Sequence, residues 1–335
     1  MATIMVPEDG HATIQAAVNA ASNNDAISVA NGTYSETVTT SGKTGIVITS
    51  RGTDRDAVKI VSATTTNGGV VTLTNGSSIN NLTVEYTGLS GTQYAVRSVN
   101  GFLTFSVLNC KILSGVHGIH GFATTGRIDR CWVECTSKQT TFPTYGIYST
   151  QGGAIGSTVV LDFNHTGMWV TASDIVNSLN YTNHIRLTDQ YRGMYAVNIY
   201  NSMAVNKSGV VGHGAISTKG SGSTSTNCIA DGTTALRDYA YEGSSNTNNL
   251  GTTDVANSGQ PLFVDGPNDD FHVNKDGLSY HSGVYTYQSN NNAFLNGLDG
   301  VRFEDPPSRG PYEHVESSAA TGIGPRCRLG LKLGI

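Results

Sequence analysis

Seven short segments that resemble one another recur between residues 79 and 235: SINNLTVEY, SVLNCKILSG, RIDRCWVEC, AIGSTVVLDF, IVNSLNYTN, IYNSMAVNKSG and STNCIADG. Aligned, they stack Leu82, Cys110, Cys131, Ser157, Ser178, Ser202 and Cys228, at spacings of 28, 21, 26, 21, 24 and 26 residues. A repeat of this size marks an architecture in which one unit cannot bury its own apolar side and stacks on its neighbours to do so. A second series lies between the first: Gly118-Ile119, Gly146-Ile147, Gly167-Met168, Gly193-Met194 and Gly214-Ala215.

Coils of this length hold two or three short strands each. Every strand then pairs with its equivalent one coil away, ~4.8 Å along the axis. Inward positions form files of like residues, and a file of Cys and Ser suits a narrow corner of the lumen. Thiols in such a file are expected to be buried and inert. Uneven spacing is absorbed by the connections. A left-handed β-helix needs a strict hexapeptide period and a propeller needs blades of about 40 to 50 residues; neither period is present. The expected class is all-β: a single-stranded, right-handed parallel β-helix.

Composition agrees. Charged residues make up 13% of the 335, and glycine accounts for 40. Ordinary soluble domains carry roughly 25% charged residues. The net charge of −5 is spread without blocks, so a nucleic-acid partner has no electrostatic footprint. No apolar run approaches the ~20 residues of a membrane span. The opening MATIMVPEDG lacks a basic segment followed by an apolar core, so it does not read as an export signal. Five cysteines, Cys110, Cys131, Cys135, Cys228 and Cys327, are odd in number and sparse, which argues against a disulfide scaffold. Cys131 and Cys135 form a C-x3-C pair with no second pair beside it, so no zinc site is expected.

Ahead of the repeats, Ile14, Ala17, Val18 and Ala21 fall on one face of a helix that Thr13 can cap. Laid across the end of a solenoid, this helix would cover its apolar cross-section. Residues 1–40 are therefore expected to hold the cap helix and first strands, 41–300 the body, and 301–335 a closing strand and tail. QPLFVDGPNDDFHV reads as strand, turn and strand. The tail alternates Leu329, Leu331 and Leu333 with Gly and Lys, a strand pattern with no local mate.

Two blocks carry a resemblance. TIQAAVNAASNNDAISVANGTYSETV resembles the opening of the pectin-lyase-like β-helix superfamily. PLFVD-x4-DFHV followed by DPPSRGPYE is similar to the end of bacterial and phage β-helix proteins. The resemblance implies the fold; activity within such a superfamily must be argued from the site.

The superfamily's catalytic patterns are incomplete here. The methylesterase run G-x-x-D-F-x-F-G is absent: Asp162-Phe163 is followed by Asn164-His165, and Asp270-Phe271 by His272-Val273. Gly212-His213-Gly214 matches one polygalacturonase element, but the preceding coil offers only Asp189, and the N-T-D and R-I-K elements are missing. Glycoside hydrolysis needs two carboxylates roughly 5–9.5 Å apart, whereas Asp129, Glu134, Asp162, Asp174 and Asp189 are scattered singly. Asp265, Asp269 and Asp270 form the densest acidic group, and read as turn residues. His117 and His120, three apart, would face opposite ways on a regular strand, so a shared metal is not expected. No catalytic residue, metal or cofactor is expected. Tyr145, Tyr148, Trp169, Tyr191 and Tyr195 are candidates for an outward aromatic strip facing sugar; packing against loops is the plainer reading.

The functional expectation is a non-enzymatic structural protein of a virus particle: a phage head decoration, tail fibre or spike. Its partners would be other virion proteins, with a homotrimer and a surface glycan as further possibilities and neither nucleic acid nor membrane. The alternatives are a tailspike-type polysaccharide depolymerase or lyase, and a carbohydrate-binding adhesin.

Overall fold

The structure, a computed structural model, describes residues 1–89, 91–99, 104–121, 126–136, 145–150, 153–155, 157–161, 166–172, 174–176, 178–182, 192–206, 216–219, 223–226, 228–232, 241–242, 245–247, 250–251, 263–265 and 270–273. Each coil gives one short strand to each of three parallel sheets. Sheet A has 11 strands, from Thr3–Val6 to Ser245–Thr247; sheet B has 10, from Gly32–Tyr34 to Leu250–Gly251; sheet C has 9, from Val38–Thr39 to Tyr241–Glu242. The right-handed parallel β-helix expected from the repeats is the observed architecture.

The thiol and hydroxyl file is one continuous column. In sheet B the register pairs Thr83 with Lys111, Lys111 with Trp132, Trp132 with Thr158, Thr158 with Leu179, Leu179 with Met203 and Met203 with Ile229. The residues just before these are Leu82, Cys110, Cys131, Ser157, Ser178, Ser202 and Cys228, and all seven are buried. They sit where the chain turns from sheet A to sheet B; the Leu82 and Cys110 carbonyls still accept the Lys111 and Trp132 amides one coil on, at 3.1 and 2.9 Å, while amides of the file turn away from the strand ladder. The file satisfies them from the side. The Cys131 amide donates to Ser157 Oγ (3.3 Å), Ser157 to Ser178 Oγ (3.2 Å) and Ser178 to Ser202 Oγ (3.1 Å). Ser178 and Ser202 pass their own hydroxyl protons to the Val176 and Tyr200 carbonyls, at 2.9 and 2.7 Å. The Cys110 and Cys228 thiols donate likewise to Leu108 O and Thr226 O. Burial pushes the thiols of Cys110, Cys135 and Cys228 up to about 12, and that of Cys131 well above its ordinary value. None of these cysteines is a nucleophile at neutral pH.

The corner itself is made by the residue before the file. Asn81, Asn109, Arg130 and Asn201 have φ of 56°, 49°, 52° and 45°. Asparagine tolerates this left-handed conformation better than most residues. It lets sheet A turn into sheet B through only Asn109 and Cys110 between Phe105–Leu108 and Lys111–Ser114. Asn109 Nδ2 donates to Asn81 Oδ1 at 2.8 Å, tying consecutive corners.

The glycine series marks a close approach of sheets C and B. A Cβ on Gly118 would lie 2.4 Å from Val133 Cγ1, and one on Gly146 2.2 Å from Val159 Cγ1. The residues that follow, Ile119, Ile147, Met168 and Met194, pair in register and are buried. The fifth member is corrected. Met194 pairs with Ile216, which makes the apolar position Ile216 and not Ala215. The repeat there carries Ala-Ile in place of Gly-Ile, so aligning on glycine shifts the frame by one. Gly214 and Ala215 lie outside the described residues.

At the N-terminal end a helix spans Ile14–Ala20, with Thr13 as its cap and Ile14, Ala17 and Val18 buried. Ala21, expected on the same face, is the buried residue that ends it. The Glu36 carboxylate accepts the Ile14 and Gln15 amides, each at 2.9 Å. The Gln15 side chain donates to Thr39 O (3.1 Å) and accepts from Thr39 N (2.6 Å), so it stands in for the strand that sheet C lacks at this end. The strands up to Thr39 are already rungs of the three sheets. Phe263–Asp265 and Asp270–Val273 form the expected strand pair, antiparallel. Residues 301–335, with Cys327 and the leucine alternation, lie outside the described residues. No helix among the described residues is long and apolar enough to cross a membrane.

Candidate functional site

Strands of sheet C do not alternate regularly. Gly118 and Ile119 both face the lumen: a Cβ on the first would strike Val133, and the second is fully buried. The outward positions of each strand are therefore its first and fourth. His117 and His120 accordingly share the outer face, which corrects the expectation that they point opposite ways. Two consecutive inward positions defeat the two-residue period.

Two outward files result. One runs Tyr94, His117, Tyr145; the other runs Arg97, His120, Tyr148, Trp169, Tyr195. Their rings form one connected surface. Tyr94 stands 4.8 Å from His117 and 4.3 Å from His120; His117 lies 5.9 Å from Tyr145, and His120 4.8 Å from Tyr148. Tyr145 meets Tyr148 at 5.0 Å and Trp169 at 6.3 Å, and Trp169 meets Tyr195 at 4.5 Å. These centroid separations are those of favourable stacked and edge-to-face pairs. The two histidines are buried, while the tyrosines and Trp169 keep part of their surface open.

The histidines are structural. His117 Nδ1 accepts the Tyr145 amide at 3.2 Å, which leaves Nε2 to donate to Gly91 O at 2.8 Å. Both ring nitrogens are committed and the ring is held neutral, and burial lowers its pKa. His120 is pushed down to about 3 by burial, then by Arg97 and His117. Neither is a proton carrier near neutral pH. Burial raises the phenols of Tyr94 and Tyr145, so they too remain uncharged.

The connections beside this face carry the variation in coil length. From sheet B to sheet C the chain uses residues 87–93, 115–116, 136–144, 162–165 and 183–191, while the corner from A to B repeatedly takes two residues. A constant scaffold beside variable connections is a common placement for a binding surface. Leu89, in the first of these connections, is 65% exposed, and its Cδ2 lies 3.3 Å from where a Cβ on Gly115 would stand.

Among the described residues, the acids Asp129, Glu134 and Asp174 lie apart. Asp129 is on sheet A, paired with Arg127 at 2.7 Å and Arg130 at 3.6 Å. Glu134 is on sheet B, where Trp132 Nε1 reaches its Oε2 at 3.4 Å. Asp174 accepts from Asn198 Nδ2 at 2.9 Å beside sheet A. Asp162, Asp189, Asp269, Tyr191 and Gly212-His213-Gly214 lie outside the described residues; Asp265 and Asp270 are cross-strand partners. Among the described residues no group of three or more His, Cys, Asp or Glu is placed to hold a metal ion. Sequence reasoning found Tyr145, Tyr148, Trp169 and Tyr195 but missed Tyr94, His117 and His120 as members of the strip. The signal was present: Tyr94 precedes Val96 by the same offset at which Tyr145 precedes Ile147.

No protein-family model and no curated protein matches the chain. Solved structures do. Pectate lyase Pel9A is similar over 90% of this chain and 91% of its own, with 12% identity and a TM-score of 0.57. A pectin methylesterase from Aspergillus niger is similar over 75% and 87%, with 17% identity and a TM-score of 0.50. At these identities the likeness establishes the fold alone, a parallel β-helix. On this fold the outer face of sheet C carries the aromatic strip.

Proposed function

We propose that this protein is a non-enzymatic, polysaccharide-binding β-helix that lays a glycan chain along the aromatic strip of sheet C. One observation carries the reading: Tyr145, Tyr148, Trp169 and Tyr195 form a connected, partly open aromatic surface that follows the solenoid axis over three successive rungs. Sugar rings present flat C–H faces and stack on such surfaces. The rung rise of ~4.8 Å is close to the length of one pyranose. The solved neighbours are named as pectin enzymes, which supports a carbohydrate partner for this fold.

A depolymerase or lyase is the second reading, favoured by those same neighbours. Asp162 and Asp189, between strands of sheet B and sheet C in the sequence, are the acids to substitute in testing it. The virus-particle setting rests on the closing-block resemblance, and co-purification with capsids or tails tests it. Trp169→Ala tests the binding reading directly. Affinity for a retained polysaccharide is expected to fall about tenfold, the size of one or two aromatic contacts, with the fold intact by circular dichroism. Unchanged affinity contradicts the proposal. Release of reducing ends or unsaturated products by the full chain would replace it with the enzymatic reading.

A further inference from the structure

A second site lies away from the strip, at the corner where sheet A turns into sheet B. We propose that Arg55, Arg127 and Arg130 form a binding site there for one tetrahedral oxyanion, a sulfate or phosphate group. This site stands or falls independently of the reading given for sheet C.

Arg130 holds the corner position that Asn81, Asn109 and Asn201 hold in other coils, and like them it has a positive φ. Arginine lacks the short polar side chain that lets asparagine adopt this conformation easily. A residue kept in such a conformation against its preference is a pointer to function. The same corner receives Arg55 from 75 positions earlier in the chain: its Nη1 donates to the Arg130 carbonyl at 3.4 Å. The connection that carries Arg55 runs along the asparagine corners, where Asn81 Nδ2 donates to Gly52 O. Asp129 stands between the other two arginines. Arg127 Nη2 meets its Oδ2 at 2.7 Å and Arg130 Nε meets its Oδ1 at 3.6 Å. The Asp129 side chain is 7% exposed, against 52% for Arg127 and 70% for Arg130. One buried carboxylate thus holds two open guanidiniums. Among the described residues no second carboxylate pairs with either, and Arg55 pairs with none. Asp56, next to Arg55 in the chain, is engaged by Lys111 at 2.9 Å and by Thr83 Oγ1 at 3.3 Å. Three guanidiniums therefore share one carboxylate. Asp129 also fixes Arg127 and Arg130 in advance, which reduces the ordering cost that a ligand must overcome. A guanidinium is a planar fork of donors matched to such oxyanions. A tetrahedral group offers three acceptor oxygens to the three forks, where a carboxylate offers two.

The test is calorimetric titration of the full chain with inorganic sulfate, inorganic phosphate and acetate, in chloride buffer at fixed ionic strength. Arg130→Asn and Arg55→Gln are titrated beside it. Arg130→Asn supplies the residue that the other corners use, so its thermal melt is expected to match the parent. Saturable binding of sulfate or phosphate at one site is expected, with acetate weaker. Affinity is expected to fall about tenfold in each variant, the size of one lost hydrogen bond between charged groups. Whichever of the two ions binds more tightly identifies the ligand as sulfated or phosphorylated, and either order supports the site. Absence of saturable binding of both ions by the full chain overturns the proposal, as does binding that both variants leave unchanged. Acetate binding as tight as sulfate and phosphate, and weakened by both variants, overturns the tetrahedral assignment.

Discussion

Ser178 shows how much one hydroxyl carries. It accepts the Ser157 amide and donates to the Val176 carbonyl inside a corner closed to water. Ser178→Ala leaves a buried amide without an acceptor, at a cost of about 1–3 kcal/mol. Ser178→Cys keeps a weak acceptor and donor, as Cys110, Cys131 and Cys228 do elsewhere in the file, and is expected to lose less. Urea denaturation of the two variants against the parent checks the order; equal losses would show that packing and not hydrogen bonding sets the residue. Gly146 makes a steric argument. Its hydrogen faces Val159 at a distance no methyl can occupy. Gly146→Ala is expected to destabilise by ~1–3 kcal/mol, the usual cost of overfilling a packed interior. A thermal melt that shows no loss would mean sheets B and C are farther apart than described.

At the scale of the element, sheet C joins two consecutive inward residues to an aromatic outer surface. His120 faces Arg97, Tyr94 and Tyr148, with His117 nearby. Its folded pKa near 3 lies below the ~6.5 of an unfolded histidine. The unfolded chain therefore takes up the proton first as pH falls. Stability from this group is complete above about 6.5 and is lost progressively as pH drops toward 3. His117, shifted the same way, adds to the effect. His120→Gln is expected to reduce the fall in urea midpoint between pH ~6.5 and ~5, a range above the ordinary carboxylate values. A midpoint profile there identical to the parent would contradict the assignment.

This element also shows what the sequence made legible. The Cys/Ser file was readable because corner residues repeat with similar chemistry, and its register follows from the alignment alone. The four aromatics were readable because they recur near the glycine pairs. The shared face of His117 and His120 was not readable. Strand periodicity assigns faces by parity, and only the packing of Gly118 onto Val133 shows that two consecutive residues turn inward. The asparagine corners, visible at Asn81, Asn109 and Asn201, escaped notice because Arg130 interrupts the pattern while keeping the same φ.

On the scale of the whole molecule, a solenoid separates structure from recognition. The lumen files hold the rungs together through near neighbours. The outer face of sheet C, bordered by connections of changing length, is free to differ. At the N-terminal end Gln15, on the helix Ile14–Ala20, occupies the open edge of sheet C at Thr39, and an open strand edge would invite end-to-end pairing. A rod that binds a long polymer along its length fits this plan.

The most direct measurement is a crystal structure of the full chain with an oligosaccharide cut from the polysaccharide it retains. Sugar rings lying over Tyr148, Trp169 and Tyr195, advancing one unit per rung along sheet C, are the predicted result. Density for the sugar on sheet A or sheet B, or crossing sheet C at right angles to the axis, would contradict it.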